Sequence, residues 1–236
     1  MSSHPAAQPH GEIAELFPDV FLVRGTFAMN AMVGIARNMV VLREGDALTL
    51  VNPIRLSEAG ERALEALGAV RHLVQLGPGH TTDLPYVRER FGAPLWAAEP
   101  KDATTEKLVE GSSGPLSRAE VFRFRRAKAG ESALVWKQPM GNLLVTCDSV
   151  QNWVDTEWCN WMGGLATRAM GFIGPAKLGP FWLKAATGGR PWELRPDFDR
   201  LLALEFRHLI AGHGVLLRDD AHGAIERSVA RQLPVG

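Results

Sequence analysis

The chain has 236 residues, 46% hydrophobic and 22% charged, which suits one large domain or two small ones with a core that needs no disulfides. Its 26 basic residues balance 26 acidic ones, so no global field draws in nucleic acid or an anionic membrane. No apolar stretch is long enough to span a bilayer and none near the start reads as a signal peptide, so the expected location is cytoplasmic.

The opening residues 1–12, MSSHPAAQPHGE, are polar and aperiodic and read as a disordered tail. VFLVRG (20–25) is rich in β-branched and aromatic residues and predicts a strand. MVVLREGDALTLVNP (39–53) reads as a hairpin turning at Glu44-Gly45-Asp46. Ser57 can cap a helix over 58–67, with Ala63, Leu64 and Leu67 on one face and Gly68 as its stop. VRHLVQL (70–76) is a short apolar strand, 84–91 a helix and APLWAA (93–98) another strand.

The second half repeats this order without repeating the sequence. VFRFR (121–125), SALVWKQ (132–138) and NLLVTC (142–147) are strands; the basic run FRFRRAK (122–128) fits a strand with an apolar inner face better than a nucleic-acid patch. RPDFDRLLALEF (195–206) is a helix with Pro196 in its first turn, HLIAG (208–212) is a strand, and 219–233 is a closing helix capped by Asp219 or Asp220. Hairpins imply antiparallel pairs and helical crossovers imply parallel ones, so both sheets should be mixed. The expected fold is α/β (α+β): a four-layer αββα sandwich in a single domain over 13–236.

Residues 153–192 interrupt this order. They hold Trp153, Trp158, Trp161, Trp182 and Trp192 among many glycines. Such a segment is either a lid over a binding site or a pair of short helices covering the sheet with tryptophans as filler. Because it begins just after Asp148, it should lie over the edge of the sheet that bears that residue. Of the cysteines, Cys147 ends an apolar run and reads as a buried reduced thiol rather than a partner of Cys159.

Three polar residues follow strands: His80, Asp148 and His213. Parallel strand ends share one edge, and imidazole with carboxylate is a usual donor set for zinc, iron or manganese. Asp83 could add a second carboxylate from the His80 loop. Each has a blander reading: a solvated loop histidine, a turn cap at Ser149, and a Gly-His-Gly turn that needs its glycines for backbone geometry alone.

With these residues in view, the chain resembles the metallo-β-lactamase superfamily from about Phe17 to its end. The resemblance rests on NMVVLREGDALTLVNPI (38–54), GPGHTTDLPYVRERFGAPLWA (77–97), LLVTCDSV (143–150) and LIAGHGVLL (209–217). More narrowly, it resembles a branch of that superfamily marked by the segments Val51-Asn52-Pro53-Ile54 and Thr146-Cys147-Asp148. The resemblance implies the αββα fold and a metal-dependent hydrolase, but with a depleted ligand set. The superfamily's His-x-His-x-Asp-His loop becomes Pro78-Gly79-His80-Thr81-Thr82-Asp83, and no histidine lies between His80 and His208. Asp148 matches the bridging aspartate and His213 the final histidine.

The implied metal ligands are thus His80, Asp83, Asp148 and His213, with Asp83 or Asp148 orienting a metal-activated water. The implied cofactor is one divalent ion, zinc or else iron or manganese, or none at all. The leading expectation is a hydrolase of a small ester, lactone, amide or phosphoester with a reduced, mononuclear site. The alternative is a catalytically inactive binding or structural protein that kept the fold and lost the metal. Nucleophilic catalysis by Cys147 or Ser149 is a third reading, without a nucleophile-elbow pattern to support it. Arg24, Arg37 and Arg43 could meet an anionic substrate or pair with carboxylates. The expected partner is a small molecule.

Overall fold

The antiparallel strands β1 (Ala14–Phe17), β2 (Val20–Ala28), β3 (Gly34–Glu44) and β4 (Ala47–Val51) open the chain. Parallel strands β5 (Ala69–Gln75), β6 (Leu95–Ala97) and β7 (Thr105–Lys107) extend the same sheet, so its seven strands stand in sequence order. Direction follows connection. β3 turns tightly into β4 through Gly45 at φ 61°, whereas β4 reaches β5 through helix α1 (Glu58–Leu67), and β5 reaches β6 through α2 (Leu84–Phe91). The chain is described by a computed structural model over residues 4–128 and 130–234.

Helix α1 occupies the expected residues: the Ser57 hydroxyl accepts from Gly60 N at 3.2 Å. Its buried face differs from the expected one. Leu64 is buried, but Ala63 is exposed and Glu61 takes a buried place, because Tyr86 Oη and Arg90 Nε both donate to its carboxylate.

The second sheet contains β8 (Ala119–Phe124), β9 (Glu131–Trp136), β10 (Leu143–Val145) and, parallel to β10, β13 (His208–Ile210). Between β10 and β13 lie an antiparallel ribbon of β11 (Val150–Trp153) and β12 (Gly174–Leu178), helices α3 (Trp161–Ala169) and α4 (Pro180–Thr187), and a 3-10 turn at Pro191–Leu194. Helix α5 (Arg195–Leu202) stops short of Phe206, since the Arg207 and His208 amides turn to Asn142 O to start β13. Helix α6 (Ala221–Gln232) closes the chain; Asp220 precedes it without capping it, its carboxylate being paired with Arg227.

Strand alternation sorts the side chains into layers. Val20, Leu22, Val40 and Leu42 meet Leu134, Trp136, Leu143 and Ile210 between the sheets. Phe21, Val23, Met39 and Val41 face the other way and pack with Leu64, Leu84 and Val87 of α1 and α2. Ala133 and Val135 pack under Trp182, Phe198, Leu201 and Ile225 of α4, α5 and α6. This is the expected four-layer αββα sandwich of two mixed sheets.

The tail reading of 1–12 is amended over the described residues: His4 pairs with Glu89 and its carbonyl, like that of Pro5, accepts from Arg55. β2 runs past the end of β1, which leaves backbone groups at Arg24 and Thr26 without a strand partner. Gly11 N donates to Arg24 O and Thr26 N to Pro9 O, both at 2.8 Å, and His10 Nε2 accepts from Ser57 N. Among the described residues, no helix is long and apolar enough to cross a membrane.

Candidate metal centre

His80 lies in the loop after β5, Asp148 in the turn after β10, and His213 in the turn after β13. Two buried asparagines align these ends. Asn52, at the end of β4, adopts φ 53°, a left-handed conformation that asparagine tolerates better than most residues. Its Nδ2 donates to Thr146 O at 3.3 Å and its Oδ1 accepts from Leu76 N at 3.2 Å, so one side chain ties the strand ends of both sheets. Asn38 of β3 donates to Ala211 O at 2.8 Å and Gly214 O at 2.9 Å, gripping the His213 turn on both sides. Gly214 has to be glycine: it sits at φ 87°, and a Cβ there would lie 1.9 Å from Asn152 O.

The three side chains converge. His213 Nε2 is 3.1 Å from Asp148 Oδ1 and 3.2 Å from His80 Nε2, and His80 Nε2 is 3.6 Å from Asp148 Oδ1. A tetrahedron of donors about 2.0–2.1 Å from a zinc-like ion has edges of roughly 3.3–3.4 Å, so these separations are those of one face of such a shell. The tautomer agrees. His213 Nδ1–H donates to Ala36 O at 2.6 Å, which turns the Nε2 lone pair toward the cluster. His213 Nε2 and Asp148 Oδ1 then face each other as acceptors, a pair that calls for a donor such as a His80 Nε2–H or for a cation between them. Burial pushes the Asp148 carboxyl up, but hydrogen bonds and charge from His213 and His80 outweigh it and hold the carboxyl well below the usual range. Trp153 stacks on the His213 ring at 5.4 Å and 14°, fixing its plane.

Asp83 stands outside this cluster. Its Oδ2 is bonded by the Arg37 guanidinium in a buried ion pair and accepts from Arg55 N at 2.9 Å. The metal-capable group contains His80, Asp148 and His213 without it, so the ligand and water-orienting roles considered for Asp83 are withdrawn. The expected charge pairing is what the other arginines show: Arg24 meets Asp155 and Glu157, and Arg43 meets Asp19.

Sequence reasoning missed Glu131, the first residue of β9. It is buried beneath Asp148; its Oε1 accepts from Ser149 N at 2.6 Å while its Oε2 has no hydrogen-bond partner among the described residues. Burial first, then the Asp148 charge, raises its pKa well above the carboxylate norm, and the same two causes raise that of the Cys147 thiol. The available signal was a carboxylate separated only by Ser132 from the apolar run Ala133–Trp136, in a strand every residue of which is buried. Cys147 is a buried free thiol, as expected.

A cavity of about 320 Å³ opens above the cluster, in the range of small-molecule sites. Its floor is His80, Asp148, His213, Gln151 and Arg37, and its wall comes from Phe27, Ile35, Trp153, Phe172, Phe181 and Trp182. The 153–192 segment therefore lies over the edge bearing Asp148, and it does so with helices α3 and α4, so both readings of it apply. Trp153 and Trp182 line the cavity, Trp158 packs beside Trp153, and Trp161 and Trp192 are exposed.

By sequence, no protein-family model and no curated protein matches the chain. By structure, it matches VMB-1, solved at pH 5.5, at a TM-score of 0.66 and 10% identity, over 96% of this chain and 99% of that one. The DIM-1 metallo-β-lactamase exposed to ceftazidime matches at 0.62 and 12%, over 96% and 100%. The metallo-β-lactamase FIM-1 from Pseudomonas aeruginosa, in its mono-zinc form, matches at 0.60 and 12%, over 98% and 99%. The chain has the metallo-β-lactamase fold, as its sequence motifs led us to expect.

Proposed function

We propose that this metallo-β-lactamase-fold protein is a metal-dependent hydrolase of a small ester, lactone, amide or phosphoester, with one catalytic ion held by His80, Asp148 and His213. The observation that carries this reading is the spacing of their donor atoms, 3.1, 3.2 and 3.6 Å, which suits one face of a zinc-sized shell. That one structural neighbour is a mono-zinc form supports a single ion as sufficient for the fold.

A divalent ion bound there would polarise a carbonyl or phosphoryl oxygen and lower the pKa of water. The two imidazoles are neutral donors, so they leave most of the ion's charge uncancelled, while Asp148 supplies the single carboxylate. With Asp83 committed to Arg37, Asp148 is the carboxylate left to orient water and hold its proton. The aromatic wall excludes bulk water and favours a substrate with an apolar body. Zinc suits the donor set best, and iron or manganese share its imidazole and carboxylate preferences.

The inactive binding protein is the second reading, favoured by Pro78 and Thr82 standing where the superfamily motif has ligands. Cysteine catalysis finds no support, since Cys147 is fully enclosed and its thiol is held protonated. The deciding experiment is metal analysis of protein purified without chelator, with hydrolysis assays on an ester, lactone, amide and phosphoester panel. Hydrolysis that is lost on metal removal, restored by zinc and absent in His213→Ala supports the enzyme. Failure to bind any metal on reconstitution overturns it.

A further inference from the structure

We infer that Glu131, Cys147 and the inner oxygen of Asp148 form a second cation site, buried beneath the first and sharing Asp148 with it. The donor atoms of the three residues lie within 4.8 Å of one another. The two oxygens of Asp148 are divided between the groups. Oδ1 faces His213 and His80, while Oδ2 lies 3.9 Å from Cys147 Sγ. Glu131 completes the inner group, its Oε1 fixed by the Ser149 amide and its Oε2 enclosed without a hydrogen-bond partner among the described residues. An unpartnered carboxylate oxygen wholly inside a protein calls for a cation or a donor, and the described residues give it no donor.

Glycines keep this inner space clear. A Cβ on Gly77 would lie 3.0 Å from both Cys147 Sγ and Glu131 Oε2, and one on Gly79 would lie 2.6 Å from Asp148 Oδ2. A thiolate beside two carboxylates selects a borderline metal such as zinc or cobalt over calcium or magnesium. Binding forms one metal–sulfur and two metal–oxygen bonds and releases the Cys147 and Glu131 protons to solvent. One divalent ion offsets two of the three negative charges of the ionised groups, which alone would repel one another. The inference uses the outer site only for the direction in which Asp148 Oδ1 points, and the two can be tested apart.

The experiment is a cobalt and zinc titration of the full chain after stripping with chelator, with melting curves to confirm that each variant folds. We expect two equivalents of cobalt and a near-ultraviolet thiolate-to-cobalt absorption. Cys147→Ser should remove that absorption and one equivalent, and Glu131→Gln should weaken the inner equivalent by about tenfold or more. His213→Ala should remove the outer equivalent and keep the absorption. One equivalent without sulfur absorption overturns the inner site and leaves the outer one standing. Absorption that survives Cys147→Ser also overturns it, because the sulfur is then elsewhere. Sulfur absorption in a protein with neither outer-site binding nor hydrolysis supports the inner site and removes the proposed hydrolase.

Discussion

Two buried or half-buried aspartates underlie the floor of the cavity, Asp148 lining it directly and Asp83 through Arg37. On one side Asp83 is enclosed with the Arg37 guanidinium and the Arg55 amide on the same oxygen. On the other, the hydrogen-bond and ion-pair partners of Asp148 among the described residues are His80, His213, Gln151 and Cys147, with no arginine or lysine. One carboxylate has its countercharge built into the fold and belongs to the scaffold. The other is surrounded by lone pairs and by groups that can give up protons, which makes it a seat for a cation brought from outside.

Removing the built-in countercharge should have the largest effect. Arg37→Ala leaves Asp83 buried and unpaired and should cost about 3–5 kcal/mol of stability in chemical denaturation, with metal stoichiometry per folded molecule unchanged. A loss of metal in that variant would erase the distinction between the two sides. His213→Ala acts on the other side: metal affinity by calorimetry should fall about 100-fold, or roughly 2.7 kcal/mol. His72→Ala, a change within β5, should leave that affinity as it is.

Gly79→Ala tests the approach of loop to carboxylate. Its Cβ would meet Asp148 Oδ2 at 2.6 Å, so a melt should show a loss of about 1–3 kcal/mol together with weaker metal binding. The smallest effect is the pH-dependent one. Glu131 has a raised pKa in the folded chain, whereas in the unfolded chain it ionises from about pH 4.3 upward. In chelator the folded state therefore keeps a proton that the unfolded state loses, and stability declines as pH rises above that value. Glu131→Gln removes this decline. It should melt a few degrees higher than the parent at pH 8 and no higher near pH 4, and zinc should narrow or reverse the difference.

Much of the fold could be read along the chain because its signals are local. Ser57, Gly68 and the alternation in 39–51 each act within a few residues of the structure they specify. The donors His80, Asp148 and His213 were legible for a related reason, since each directly follows an apolar strand. What escaped depends on distant partners. Asp83 looks like a ligand until Arg37, remote in sequence, is brought against it. Glu131 looks like a solvated strand start until the His80 loop and Asp148 close over it. Asn38 and Asn52 carry no local mark of their role, because the carbonyls they hold belong to the other sheet. β7 and β11 are short, and pairing, more than composition, defines them.

The bond from His213 to Ala36 O joins a residue after β13 to a strand of the opposite sheet, and His80 comes from that opposite sheet as well. A cation held by His80, Asp148 and His213 is thereby fastened to both layers of the sandwich and works as a clasp. The consequence concerns kinetics. The donors can assemble only once the layers have docked, so the moment of ion capture in a refolding experiment times that docking. Unfolding must part the same layers, and a bound ion should slow it more than it speeds folding. Two fragments divided between Lys107 and Ala119 would each hold an incomplete set of donors, and added zinc would then drive their reassociation by mass action.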